Sequence, residues 1–223
     1  MEMDHKKGRY TVRKAVVLLG AVMAMALGAA LYFRAGIGSD PVSTLCDGLC
    51  QAWGIPRGTA SLLVNGGIFC AFLLLDKSHL RIGSVFAAFG VGPFITVFEG
   101  LLGRLLSGEL PLPAKLLLSL AGAAVIAGGR ALYLPCRCGA APLDMLVLSL
   151  CAKTHWPYRR GFAVVSGTIF LLGLLLHGSW GAATLISVFL TGGMADFWMA
   201  RWEKSLQVFV GVGTENELSG DVV

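Results

Sequence analysis

Charged residues are scarce in this chain, 14% of 223, where an ordinary soluble domain carries about a quarter. A surface that poor in charge does not suit a water-soluble globule. Histidine is scarce as well: His5, His79, His155 and His177 are scattered through flanks and loops, so no pair of them has metal-ligand spacing. The six cysteines include Cys46 and Cys50, one helical turn apart, and Cys136 and Cys138, flanking Arg137, but no pair of C-x-x-C motifs. No metal or cofactor is expected, and the thiols read as inert or structural. There is no G-x-S-x-G, no H-E-x-x-H and no Walker lysine, so no catalytic residue is assigned and an enzyme is not expected. The Gly-rich GIGSDP run has no strand before it, which excludes a nucleotide loop by context.

What the chain has in abundance is apolar sequence: 56% of residues are hydrophobic, and the mean hydropathy is +0.74. The lipid bilayer is therefore the expected partner. Six stretches are long enough to cross it, about 15–33, 58–75, 82–103, 115–133, 161–176 and 182–200. The first thirty residues resemble a secretory signal with small residues at Gly28, Ala29 and Ala30, but cleavage there would remove a span whose counterpart at 115–133 remains, so an uncleaved span is expected. The net charge of +5 lies beside spans and orients the protein; it does not point to nucleic acid. With the N-terminus in the cytoplasm, only Arg34, Arg57, Arg104 and Lys115 fall outside, and every other Lys and Arg falls inside. Both termini are then cytoplasmic in a multi-pass protein of the plasma membrane.

The chain also nearly repeats itself. Residues 31–75 align without a gap onto 132–176, and about fifteen of roughly 45 positions are identical. The weight rests on Tyr32/Tyr133, Gly38/Gly139, Pro41/Pro142, Cys50/Cys151, Pro56/Pro157 and Gly66/Gly167, pairs that hydrophobicity alone does not produce. Three spans per copy is an odd number, so the second copy enters the bilayer in the opposite sense. The expected fold is an all-α membrane protein of six transmembrane helices, arranged as two inverted three-helix repeats over 1–106 and 107–223.

Each copy holds a short segment, 40–53 and 141–154, between its first two spans. A helix of about 12 residues rises about 18 Å against a hydrocarbon core of about 30 Å, so neither can cross. Pro41 and Pro142 suit a first helical turn, preceded by flexible Gly36, Gly38 and Gly139. Two readings stay open: an amphipathic helix lying in the interface, or a broken helix lining a cavity. Small residues also recur at packing spacing, Gly20, Ala24 and Gly28 in the first span and Ser119, Ala123, Ala127 and Ala131 in the fourth.

The runs ALYFRAGIGSDPVSTLCDGL, GIPRGTASLLVN and RIGSVFAAFGVGPFITVF resemble the bacterial YczE/YitT family of polytopic membrane proteins. The resemblance rests on Gly36, Gly38 and Pro41, then Gly58 and Thr59, then Gly83 with Ser84 where the family has Thr, then Gly92 and Pro93. The second copy departs from it: Arg137 stands at the first Gly, Arg160 faces Thr59, and Gly193 replaces Pro. The resemblance implies location and fold and carries no settled activity.

Ionisable residues at membrane depth are costly and few, so each is a candidate for a substrate or ion pathway. They are Asp40 and Asp47 on the first short segment, Asp144 on the second, and Glu99 and Asp196 near span ends, with Arg130 in the fourth span. Asp144 aligns with Ser43 and Asp196 with Thr96, so the charges break the repeat. The bland readings are a helix cap for Asp40, an interfacial face for Asp47, and emergence into water for Glu99 and Asp196. Two functions remain in view: a transporter for a small solute or ion, or a non-transporting accessory protein of another membrane system. The two separate on whether the short segments meet at a polar cavity. Substrate, coupling ion and oligomeric state are not legible in the sequence.

Overall fold

The computed structural model describes residues 2–75, 82–133, 136 and 141–210. Those residues form eight helices and no strand: α1 (Glu2–Ala35), α2 (Pro41–Trp53), α3 (Arg57–Leu75), α4 (Ile82–Leu105), α5 (Leu112–Tyr133), α6 (Pro142–Thr154), α7 (Tyr158–Leu175) and α8 (Ala182–Val210). Three of them contain stretches long and apolar enough to cross a membrane, Val12–Ala35, Gly83–Leu105 and Leu112–Tyr133. Arg57–Leu73 and Arg160–Leu175 are apolar but shorter. Large apolar side chains face outward on several helices, among them Val16, Val97, Leu117, Leu171 and Leu175. Large apolar side chains exposed on so many helices suit lipid.

The sequence offset of 101 reappears in the backbone. Pro41 and Pro142 both open 13-residue helices at a position where the missing N–H costs nothing. Both helices stop on a left-handed residue, Gly54 (φ 65°) in α2 and His155 (φ 55°) in α6. Pro56 and Pro157 then precede the starts of α3 and α7. Gly139 and Arg137 lie outside the described residues.

α1 packs most extensively on α5, and the small residues set the direction of that contact. A side chain at Gly129 would meet Ala21 and Met25, one at Gly28 would meet Gly122 and Ile126, and one at Gly122 would meet Leu31 and Tyr32. Partners descend along α5 as α1 ascends, so these equivalent helices run antiparallel. Ser119, Ala123, Ala127 and Ala131 are all buried, as expected of the α5 face. On α1 the face differs from the expected one: Gly20 meets nothing, and Ala21, Gly28, Ala29 and Tyr32 are the buried line. Two steps of four residues rotate about 80° around a helix, which turns Gly20 away from Gly28.

α4 flanks α1 as α8 flanks α5, and the short helices cross over between halves, with α2 against α7 and α6 against α3. α2 presses on α7 closely enough that a Cβ at Gly173 would lie 2.8 Å from Leu45 N. The loop after α1 packs on the loop before α8, where Ile37 accepts a hydrogen bond from Ala183 N (3.1 Å). Gly38 (φ 105°) is required there by conformation and by space, since a Cβ would lie 2.6 Å from Gly181 N. Arg34, at the end of α1, donates to the carbonyls of Leu106 and Gly108 and so closes the open end of α4.

Candidate functional site

Two groups of charges lie near the short helices. The first is an ionic network built around Arg57, at the start of α3. Its Nε donates to Asp47 Oδ1 on α2 (2.8 Å), and its Nη1 donates to Glu99 Oε1 on α4 (3.0 Å). Its guanidinium also lies 5.0 Å above the Phe33 ring of α1. The other oxygen of Asp47 accepts from Gln51 Nε2 (3.2 Å), from Ser179 N (3.0 Å) and from the Ser179 hydroxyl in the α7–α8 loop. Both oxygens of a buried carboxylate are thus hydrogen-bonded, by donors from both halves of the chain. Burial alone pushes the Asp47 carboxyl up, but the hydrogen bonds from Ser179 and Arg57 outweigh it and hold it below the ordinary carboxylate range.

Arg57 was legible only as a topology signal, and its role in the network was missed. A usable signal existed: Asp47, Arg57 and Glu99 correspond in the second copy to Leu148, Tyr158 and, across the one-residue loop shortening, Met199. Charges that are present together and lost together are charges that compensate one another.

The second group surrounds a cavity of about 90 Å³ lined by α1 to α6. Its walls follow the repeat: Met25 and Ile126, Ala29 and Arg130, Asp40 and Ala141, Val42 and Leu143, and Ser43 and Asp144 are five equivalent pairs, and all ten residues line it. Both copies of the sequence repeat thus contribute to one space. The starts of α2 and α6 therefore converge on this cavity from the two halves. Asp40 occupies the N-cap position of α2 but makes no side-chain cap hydrogen bond, and its Oδ1 is buried without a hydrogen-bond partner. Asp144, in the first turn of α6, is 3% exposed. Arg130, in the last turn of α5, lies 5.3 Å above the Phe162 ring and makes no ion pair among the described residues. Asn65, Ser61 and Cys46 complete the polar lining. Burial first, then the Asp40 carboxylate, push the Cys46 thiol up, which keeps it protonated and unreactive.

Of the acids singled out in the sequence, Asp40 and Asp144 share the cavity, while Asp47 and Glu99 share Arg57. Asp196 lies on α8, but its side chain is outside the described residues. Among the motif residues, Gly58 and Gly92 meet where α3 crosses α4, whereas Thr59 and Pro93 are exposed. A Cβ at Gly58 would lie 2.4 Å from Gly92 O. Gly36 (φ 65°) has open space around it. Cys50 and Cys151 are free, partly exposed thiols. Among the described residues no cluster of His, Cys, Asp and Glu could hold a metal ion.

The chain belongs to the DUF6198 family, a family of unknown function whose model matches residues 12–200. It is 27% identical over 186 residues to an uncharacterised protein of Haemophilus influenzae, covering 82% of each chain. It is 24% identical over 185 residues to the uncharacterised protein YyaS of Bacillus subtilis, covering 82% of this chain and 90% of that one. No solved structure matches significantly.

Proposed function

We propose that the protein is a six-span, YczE/YitT-like transporter of the bacterial plasma membrane, whose oppositely oriented halves, 1–106 and 107–223, enclose a site for a small solute or ion. The observation that carries this reading is the cavity lined by five equivalent pairs, with Asp40, Asp144 and Arg130 in an otherwise largely apolar wall. Irregular or broken helices at membrane depth are tolerated where they line a cavity, and convergence of α2 and α6 on one space favours that reading over two helices lying flat on opposite surfaces. The antiparallel contact of α1 with α5 supports inverted halves. Phe33 lines both the central cavity and a smaller one of about 30 Å³ beside Asp47 and Arg57. The ionic network then closes the central cavity on one side, with Arg57 stacked on the ring.

Purified protein in proteoliposomes, challenged with small polar solutes and followed by osmotic light scattering, tests the reading. Protein-dependent flux of at least one solute, reduced by Asp40→Asn, is expected. Absence of flux from a folded, inserted protein, across cations, anions and zwitterions, would instead favour an accessory role for the chain.

A further inference from the structure

The central cavity is electrically mixed, and its size limits what it admits. A cavity of about 150 Å³ holds benzene; this one, at about 90 Å³, has room only for something smaller. Sugars, nucleotides and larger side chains are too big. Two carboxylates, Asp40 and Asp144, face it together with one guanidinium, Arg130. A solute with a single charge would leave either Asp40 or Arg130 uncompensated in a place where that is costly. A neutral solute without poles would leave the Asp40 oxygen unsatisfied and would gain nothing from Arg130.

We infer that the cavity takes a small zwitterion of about the size of glycine, its ammonium group on Asp40 and its carboxylate on Arg130. This assignment rests on the transporter reading for its physiological meaning, but the binding itself does not depend on flux. The carboxylate that forgoes its own helix cap comes from the first half of the chain, and the guanidinium comes from the second. Neither pairs with the other, so each keeps a direction open for a ligand pole. Arg130 stands where the first copy has Ala29, and Asp40 where the second has Ala141. The symmetry of the wall is therefore broken at these two positions, as it is at Ser43 and Asp144, and these two give the site a negative and a positive end. The guanidinium offers two parallel donors to a carboxylate, and its stacking on Phe162 holds its plane.

The test is equilibrium binding to the full chain in lipid nanodiscs by isothermal titration calorimetry. Three probes of equal size separate the poles: glycine carries both, glycinamide only the cation, and glycolate only the anion. Glycine should bind saturably and at least tenfold more tightly than either single-pole probe. Asp40→Asn and Arg130→Gln should each weaken glycine at least tenfold, with unchanged elution and melting of the unliganded protein. Should Arg130→Gln fail to fold, the glycinamide comparison makes the same test from the ligand side. Glycinamide binding as well as glycine would make this a cation site and overturn the proposal, as would equal binding of glycolate or no binding of glycine. Glycine binding without glycine flux would leave the assignment standing and remove the transporter reading; flux of another solute without glycine binding would do the reverse.

Discussion

In the first half of the molecule α3 lies along α4 with Gly58 against Gly92 and with Arg57 tying Asp47 to Glu99. In the second half the corresponding residues are Arg159, Gly192, Tyr158, Leu148 and Met199, and α7 makes no comparable contact with α8 among the described residues. The length and left-handed C-cap of the short helix are conserved between the copies while the chemistry between helices is not. An arginine cannot occupy a place where a Cβ would already lie 2.4 Å from a carbonyl oxygen, so replacing Gly58 by Arg159 is incompatible with the α3–α4 style of contact. The three charges disappear as a set because removing one member leaves the others without compensation. The first half thus holds an ion-paired wall, and the second half carries Leu148, Tyr158 and Met199 at the equivalent positions.

The strongest perturbation of that contrast is steric. Gly58→Leu forces a side chain into the Gly92 backbone, where only displacement of a helix makes room. A loss of about 3 kcal/mol or more is expected, read as a large fall in melting temperature and yield in detergent. Gly67→Ala, on the same helix but with nothing within 4 Å, should change little. Comparable behaviour of the two variants would show that the α3–α4 crossing is not set by Gly58.

A smaller effect is expected from converting the ionic set into its counterpart. Asp47→Leu alone leaves Arg57 half paired and the Ser179 donors unmatched, which should cost about 1–3 kcal/mol; the partial exposure of Arg57 keeps it from being larger. The triple variant Asp47→Leu, Arg57→Tyr and Glu99→Met copies the second half and should recover to within about 1 kcal/mol of the parent. Strict additivity of the three single losses would show that the charges do not act as a unit.

The same triple variant sharpens a pH comparison. Because the Asp47 carboxyl is held below its ordinary range in the fold, its contribution is fully present above the unfolded value of about 3.9 and is lost as pH falls through the lower folded value. The parent should therefore lose stability on acidification more steeply than the triple variant, measured by melting in detergent from neutral pH downward. Parallel curves would remove Asp47 from the account.

Much of this architecture was legible before any coordinates. Pro41 and Pro142 announced the two short helices because proline fixes a first turn wherever it stands, and the bounds 40–53 and 141–154 differ from the observed ones by a single residue at the start. The crossing of α1 over α5 was legible in outline from its small residues, but its register was not, since a four-residue step drifts around a 3.6-residue helix and only the partner decides which face is buried. Asp40 read as a cap because an aspartate before a helical proline ordinarily caps; that its oxygen faces a cavity depends on α5 and α6, which the local sequence does not contain. Arg57 was hidden by a second use of the same residue type, since a basic residue beside a span also signals topology.

The central claim is that the two halves enter the membrane in opposite senses, so that α2 and α6 reach the cavity from opposite faces. Ala52→Cys and Lys153→Cys are equivalent, exposed positions near the far ends of these helices. In a background with the native cysteines replaced by alanine, a membrane-impermeant maleimide applied to right-side-out and inverted vesicles tests this directly. Labelling of Ala52→Cys only from the outside and of Lys153→Cys only from the inside is the expected result, and labelling of both from one side would contradict the account.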